Sequence, residues 1–444
     1  MDTPSTDATR SEEISDERAK SSSDLLQLYP YNSDHRLGYV NRGVPSDPEA
    51  VKDIAEMVAS MNTDALVVKS KKRHLASAFN QYLPPGQEFT LQAPADAEYP
   101  PPPVVFVRGP ILGIGGNGLV YEAQTSDGRV YALKSLLVRM KSFSKKAKKE
   151  ANTGGPAWRH EEDRAFSRVL QKEMHVLKFF PPGKTAEQLY GQGFVLPLFQ
   201  GILQGKPKVT ILSEDYAVTN VVVGFPRVAC SVGQLVGAYR LSDAVKLELT
   251  RQMIALVARL HSYGILHADV KWENFFLDST GRVFLGDFEQ SQVLREGKTA
   301  PCGPRAGGTP SLHEPARAAC YFSDPERPLD LMASRDSWCL GMITYKLWCR
   351  AFPYHLKFDP NKVPEYMHRL ATIEREGTTV DFDRCPESPE LPEELQTLIS
   401  GLLYHDRYLR VLPLSLIYTS SIFEPYLENT DTHASTHHSE MEAR

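Results

Sequence analysis

The sequence contains no run of about 18 consecutive apolar residues, the length a helix needs to cross a bilayer, so no helical membrane span is expected. Basic charge is not in excess either. Fifty Lys and Arg stand against 55 Asp and Glu, a net of −5, which leaves no global field for drawing in nucleic acid or an anionic membrane. Any phosphate chemistry must then be local. Cysteine is scarce: the six in 444 residues are Cys230, Cys302, Cys320, Cys339, Cys349 and Cys385, with no C-x-x-C pair among them. That spacing argues against a zinc module or a disulfide framework and predicts buried, reduced thiols. The opening MDTPSTDATRSEEISDERAK is polar and acidic where an export signal would be apolar.

What is present is an ordinary globular composition, 41% hydrophobic and 24% charged, long enough for two or three domains. Residues 1–46 are rich in Ser, Asp and Glu and read as a flexible acidic lead, because such a segment cannot bury enough apolar surface to offset its ordering entropy. Residues 47–103 read as a helical extension and Pro linker: Val51, Ile54, Met57 and Val58 fall at helical spacing after Asp47-Pro48, and Pro100 to Pro103 form a stiff connector. From 104 to 228 the text is β-rich, interrupted by a Lys-rich helical stretch (Arg139, Lys141, Lys145, Lys146, Lys148, Lys149) that reads as a solvated face. From 229 to 425 it is mainly α, with Leu249, Met253, Leu256, Val257 and Leu260 on one helical face. A polar tail, 426–444, carries His433, His437 and His438 and is assigned no metal.

Three clusters carry chemistry. Gly113, Gly115, Gly116 and Gly118 lie between two strand-like segments, where missing Cβ atoms let backbone N–H groups approach a polyphosphate. By themselves they would equally serve a hairpin turn. Twenty-one positions after Gly113, Val130-Tyr-Ala-Leu-Lys134 ends an apolar strand on an ammonium, which points inward only toward negative charge. Glu173 is the expected carboxylate partner, with Glu161 or Glu162 as substitutes because the insert leaves the helix register open. The third cluster is His267-Ala-Asp269-Val-Lys271-Trp-Glu-Asn274, followed 18 positions after Asp269 by Asp287. Strands joined through Asp278-Ser-Thr-Gly281 would bring Asn274 and Asp287 side by side, beside Asp269. Such a set suits phosphoryl transfer: Asn274 and Asp287 as oxygen ligands of Mg²⁺, Asp269 as acceptor of a hydroxyl proton, Lys271 to offset charge.

The ordered set, with Gly308-Thr309-Pro310, Asp336-Ser-Trp338, Asp406 and Arg410, resembles the protein kinase signature. More narrowly, Val107 to Glu122, the Phe225-Pro226-Arg227 text and the helical extension are similar to the rhoptry kinases secreted by apicomplexan parasites. The resemblance implies an α+β, bilobal protein kinase fold with a β-rich N-lobe, a mainly α C-lobe and a helical N-terminal extension. It implies ATP and Mg²⁺ as cofactors, with Val120, Ala132, Phe225 and Val228 forming the adenine pocket beside Lys134. Its partners would be protein substrates bearing Ser or Thr, and host proteins. Its location would be the rhoptry, then the host cell or vacuole; the alternative is cytoplasmic.

The departures are specific. Ala268 replaces the Arg that usually receives an activation-loop phosphate, so activity independent of that phosphate is expected. Glu289 replaces the glycine after Asp287-Phe288, either restraining the loop or recruiting a cation. Ala316 stands where the family has the Glu that pairs with Arg410, and Glu314 is the substitute. The alternative function is a pseudokinase scaffold that binds nucleotide or a partner without transfer; a small-molecule phosphotransferase is a weaker third.

Overall fold

The computed structural model describes residues 47–61, 73–95, 97–115, 117–295, 297–302, 307–323, 328–383, 385 and 391–423. The expected lead 1–46, the tail 426–444 and Gly116 lie outside them. The chain divides into two compact units that are not contiguous in sequence. One joins Pro48–Leu241 to Trp272–Glu289; the other takes in Asp47, Ser242–Lys271 and the segment from Gln290 onward.

The first unit is built on an eight-stranded antiparallel sheet. Its long strands are β1 (Phe106–Ile114), β2 (Gly118–Thr125), β3 (Val130–Arg139), β4 (Phe199–Leu203) and β5 (Tyr216–Pro226), in the spatial order β1-β2-β3-β5-β4. Side chains alternate across such a sheet. Leu119, Tyr121, Ala123 and Leu133 therefore point to one face and fill a core with Phe106, Phe199 and Leu203. Where the spacing predicts one helix in the extension, the structure has two, α1 (Pro48–Ala59) and α2 (Arg73–Tyr82). Leu75, Phe79 and Tyr82 of α2 close that core, and the buried Arg108 donates to Asn80 at 2.7 Å with its guanidinium 5.8 Å from the Phe79 ring. The opposite sheet face receives α3 (Pro156–Lys172), whose Phe166, Val169 and Leu170 pack on Leu136, Val221 and Val223. The Lys-rich insert forms a short helix, Lys145–Glu150, capped by Ser144, with its four lysines exposed and Ala147 buried.

A smaller sheet in the same unit pairs Cys230–Ser231, β6 (Phe275–Leu277), β7 (Val283–Gly286) and Phe194–Val195. α1 lies against the turn of the β6–β7 hairpin. Gly281 has φ +82° there, and a Cβ on it would sit 2.4 Å from Val51 O, so both backbone and space demand glycine.

The second unit is mainly helical. α4 (Asp243–Ser262) starts at Ser242, whose hydroxyl accepts from Val245 N–H. Every residue from Glu248 to His261 is buried, so α4 is a central helix enclosed all round where the sequence suggested one apolar face. α5 (Pro315–Ser323), α6 (Ser334–Cys349) and the helices Val363–Glu376, Glu393–Leu402 and Pro413–Thr419 complete it. No helix among the described residues is long and apolar enough to cross a membrane.

The cysteine expectation is overturned. Cys302 pairs with Cys320 and Cys349 with Cys385, at Cα separations of 6.0 and 4.3 Å, leaving only Cys230 and Cys339 as buried thiols. Disulfide reach depends on spatial and not sequential distance, so spacing along the chain carried no information about these pairs. Closing loops of 18 and 36 residues removes unfolded-state entropy worth roughly 3 to 4 kcal/mol each.

Candidate active site

The sheet register assembles one wall of the site. Gly113 of β1 pairs with Val120, Val120 with Lys134 and Lys134 with Val223 in a single row across four strands. The neighbouring row is Glu122, Ala132 and Phe225. Because Val120, Ala132, Lys134 and Phe225 are two apart or directly opposite, they share a face, away from the Leu119–Tyr121–Leu133 core. Phe225 packs into the α3 contact with Leu136, Val221 and Val223. Beyond it, Arg227 Nε donates to Glu122 Oε2 at 2.9 Å, and Val228 is half-buried.

Lys134 Nζ lies 2.7 Å from Glu173 Oε1, with side-chain exposures of 15% and 9%. The partner left open by the sequence is thereby settled: Glu161 lies 3.9 Å from Arg164, and Glu162 accepts from Val209 N–H. Glu173 does not sit within the α3 spiral as the spacing suggests but caps its end, opening a 3₁₀ stretch, Glu173–Phe179. Gly118 gives the lysine its path: a Cβ there would fall 2.8 Å from Lys134 Cε and 2.9 Å from Cγ.

The β6–β7 hairpin pairs Phe275 with Leu285, so Asn274 and Asp287 flank its open end as the turn chemistry predicts. Asp278 Oδ1 organises the turn by accepting from Thr280 N–H and Arg282 N–H. Asp287 is exposed and left-handed, with φ 61°. Phe288 anchors it from below, buried edge-on to Phe180 and Phe194 at 6.2 and 6.0 Å. An amide oxygen and a carboxylate are the donor types a Mg²⁺ ion takes.

Asp269 and Lys271 belong to the second unit. Thr309 Oγ1 donates to Asp269 Oδ1 at 2.7 Å, and Lys271 Nζ contacts Oδ2. The loop that presents them is pinned by Asp336, which the sequence offered only as part of a motif. Its buried carboxylate accepts from His267 N–H (2.8 Å) and Ala268 N–H (3.0 Å) and meets His261 Nε2 at 3.0 Å. Burial opposes its ionisation, but the His261 hydrogen bond and charge outweigh that and hold it below the ordinary carboxylate range. Ala268 is left-handed (φ 65°), with its carbonyl accepting from Arg335.

Glu314 takes the role expected of it. It lies 2.8 Å from Arg410 and 3.2 Å from Arg407, fully enclosed. The guanidinium of Arg410 in turn lies over Trp338, 5.1 Å from the ring centroid. Two further side chains meet without any sequence signal to announce them: Asn117 of the glycine turn and Glu289.

The Kinase-like family model matches residues 214–410. That match spans under half of the chain, and the fold as a whole is similar to that of solved rhoptry kinases. Serine/threonine-protein kinase ROP17 of Toxoplasma gondii is 27% identical over 311 residues, spanning 68% of this chain and 46% of its own length. ROP18 of the same organism is 28% identical over 337 residues, spanning 72% and 51%. The chain thus spans about half the length of the curated relatives it matches. Among solved structures, the ROP18 kinase domain in complex with AMP-PNP and sucrose has a TM-score of 0.61 at 22% identity, over 89% of this chain and 98% of that one. ROP2 from Toxoplasma gondii, described as a virulence factor with a protein-kinase fold and no enzymatic activity, has a TM-score of 0.62 at 22% identity, over 87% and 98%. A rhoptry kinase from the same organism has a TM-score of 0.61 at 20% identity, over 88% and 97%.

Proposed function

We propose that the protein is a Mg²⁺- and ATP-dependent kinase that transfers the γ-phosphoryl group to Ser or Thr of protein substrates. The observation that carries this reading is the half-buried Lys134–Glu173 pair at 2.7 Å. An ammonium held by one carboxylate on the face shared with Val120 and Ala132 is placed to receive phosphate oxygens. Gly113, Gly115 and Gly118 line the approach to it; Gly116 completes the motif in sequence. Asn274 and Asp287 would hold Mg²⁺, which supplies charge neutralisation to the phosphates. Asp269 orients the substrate hydroxyl and takes its proton, Lys271 offsets charge on the transferring group, and Thr309 fixes Asp269 through Oδ1.

The relatives' names support Ser/Thr specificity and a rhoptry setting. The two disulfides support folding in an oxidising compartment, as in a secreted effector acting on host proteins. A second reading, a scaffold without transfer, is favoured by Glu289 in place of glycine and by the likeness to ROP2.

Radiolabel transfer from ATP to a generic protein, with phosphoamino-acid analysis, decides between them. The parent chain should label Ser or Thr. Lys134→Met should lose at least about a hundredfold, and Gly118→Val, which pushes into the lysine stem, at least about tenfold. A nucleotide-dependent thermal shift with no transfer by the parent would establish the scaffold instead.

A further inference from the structure

Asn117 and Glu289 are 172 residues apart, and Asn117 Nδ2 donates to both carboxylate oxygens, at 2.9 Å to Oε1 and 2.8 Å to Oε2. Each partner stands on a fixed base. The main-chain carbonyl of Asn117 accepts from Leu137 N–H of β3 at 2.9 Å, and Gly115 N–H closes the turn onto Gly118 O at 2.8 Å. Glu289 follows the buried Phe288 and the left-handed Asp287 in a 3₁₀ turn, Phe288–Gln290. A glycine at 289 would offer no carboxylate. The pair borders a cavity of about 400 Å³ that Glu173, Leu136 and Arg168 also line.

We propose that Glu289 is a positioning residue: through Asn117 it clamps the glycine turn to the segment of Asp287, fixing the phosphate-cradling backbone against the metal ligand and slowing nucleotide release. The proposal rests on the nucleotide-binding part of the function given above. Both carboxylate oxygens are turned to the Asn117 amide, which favours a clamp over a direct metal contact. A hydrogen bond to an ionised acceptor is among the stronger kinds, and its loss at a half-exposed site corresponds to about a tenfold change.

The test is stopped-flow release of a fluorescent ATP analogue from the full chain with Mg²⁺. Glu289→Ala and Asn117→Ala should each speed release about tenfold, and the double variant no more than either one. Glu289→Gln, whose Oε1 still accepts, should stay within about threefold of the parent. Hydrogen exchange at Leu137 N–H should quicken in both alanine variants, a change that a distant fold defect would not confine to that strand. Additive effects, or a silent Asn117→Ala beside a strong Glu289→Ala with raised Mg²⁺ requirement, would overturn the clamp and mark Glu289 as a metal ligand. A parent that binds nucleotide without transferring phosphate removes the enzyme reading and leaves the clamp standing. A parent that transfers phosphate while both variants release at its own rate removes the clamp alone, and a parent that binds no nucleotide removes both.

Discussion

Asp269→Asn is expected to lower the rate of phosphotransfer by about three orders of magnitude, equivalent to about 4 kcal/mol of transition-state stabilisation. The amide cannot take the hydroxyl proton, and it replaces the charge to which Lys271 and Thr309 are both oriented. The residues proposed to contact nucleotide belong to other elements, so ATP affinity should remain within about twofold of the parent. The measurement is initial-rate kinetics at saturating ATP with a parallel nucleotide titration. A variant with more than a tenth of the parent kcat would remove Asp269 from the catalytic set. One that loses ATP affinity and rate together would mark it as a structural residue.

The largest stability effect is expected at Glu314. Its carboxylate faces Arg410 and Arg407, and all three side chains are buried. Glu314→Gln takes from two buried guanidinium groups the carboxylate they directly pair with, a loss of roughly 3 to 5 kcal/mol. Thermal or urea unfolding at pH 7 should show it as a fall in midpoint on the order of ten degrees. The pH dependence gives a second signature. Burial alone would raise the Glu314 carboxyl, but attraction from Arg407 and Arg410 overrides it and brings the group down from 4.5 to about 2. A carboxyl depressed on folding contributes stability that is complete above its ordinary value and disappears as the pH falls through the folded one. The gap between parent and variant should then be widest above about pH 5 and narrow toward pH 2. A gap that is constant over that range would mean the glutamine fails for reasons of packing, not charge.

Much of the site was legible because its parts are local. Four glycines between strand-like segments, an ammonium closing an apolar strand and a hairpin turn of Asp278 to Gly281 are short-range patterns whose backbone consequences are nearly fixed. The strand register then follows from alternation, since shifting Lys134 by one residue would drive it into the Tyr121 core. Glu173 was less legible: three glutamates competed until Phe166, Val169 and Leu170 packed against the sheet and set the register of α3. The second helix of the extension carried a signal in Leu75, Phe79 and Leu83 at four-residue spacing, but its stability comes from closing the sheet core, which no local pattern displays.

The chain's own text determined the order of elements, the face on which Lys134 lies and the residues able to serve phosphoryl transfer, because periodicity and turn chemistry act over a few neighbouring positions. Tertiary structure alone decided which cysteines join, that Arg407 shares Glu314 with Arg410, and that Glu289 meets Asn117 across 172 positions. Those outcomes depend on distances between remote segments, set by how cores fill and where charges must be neutralised, and a linear pattern holds no measure of them.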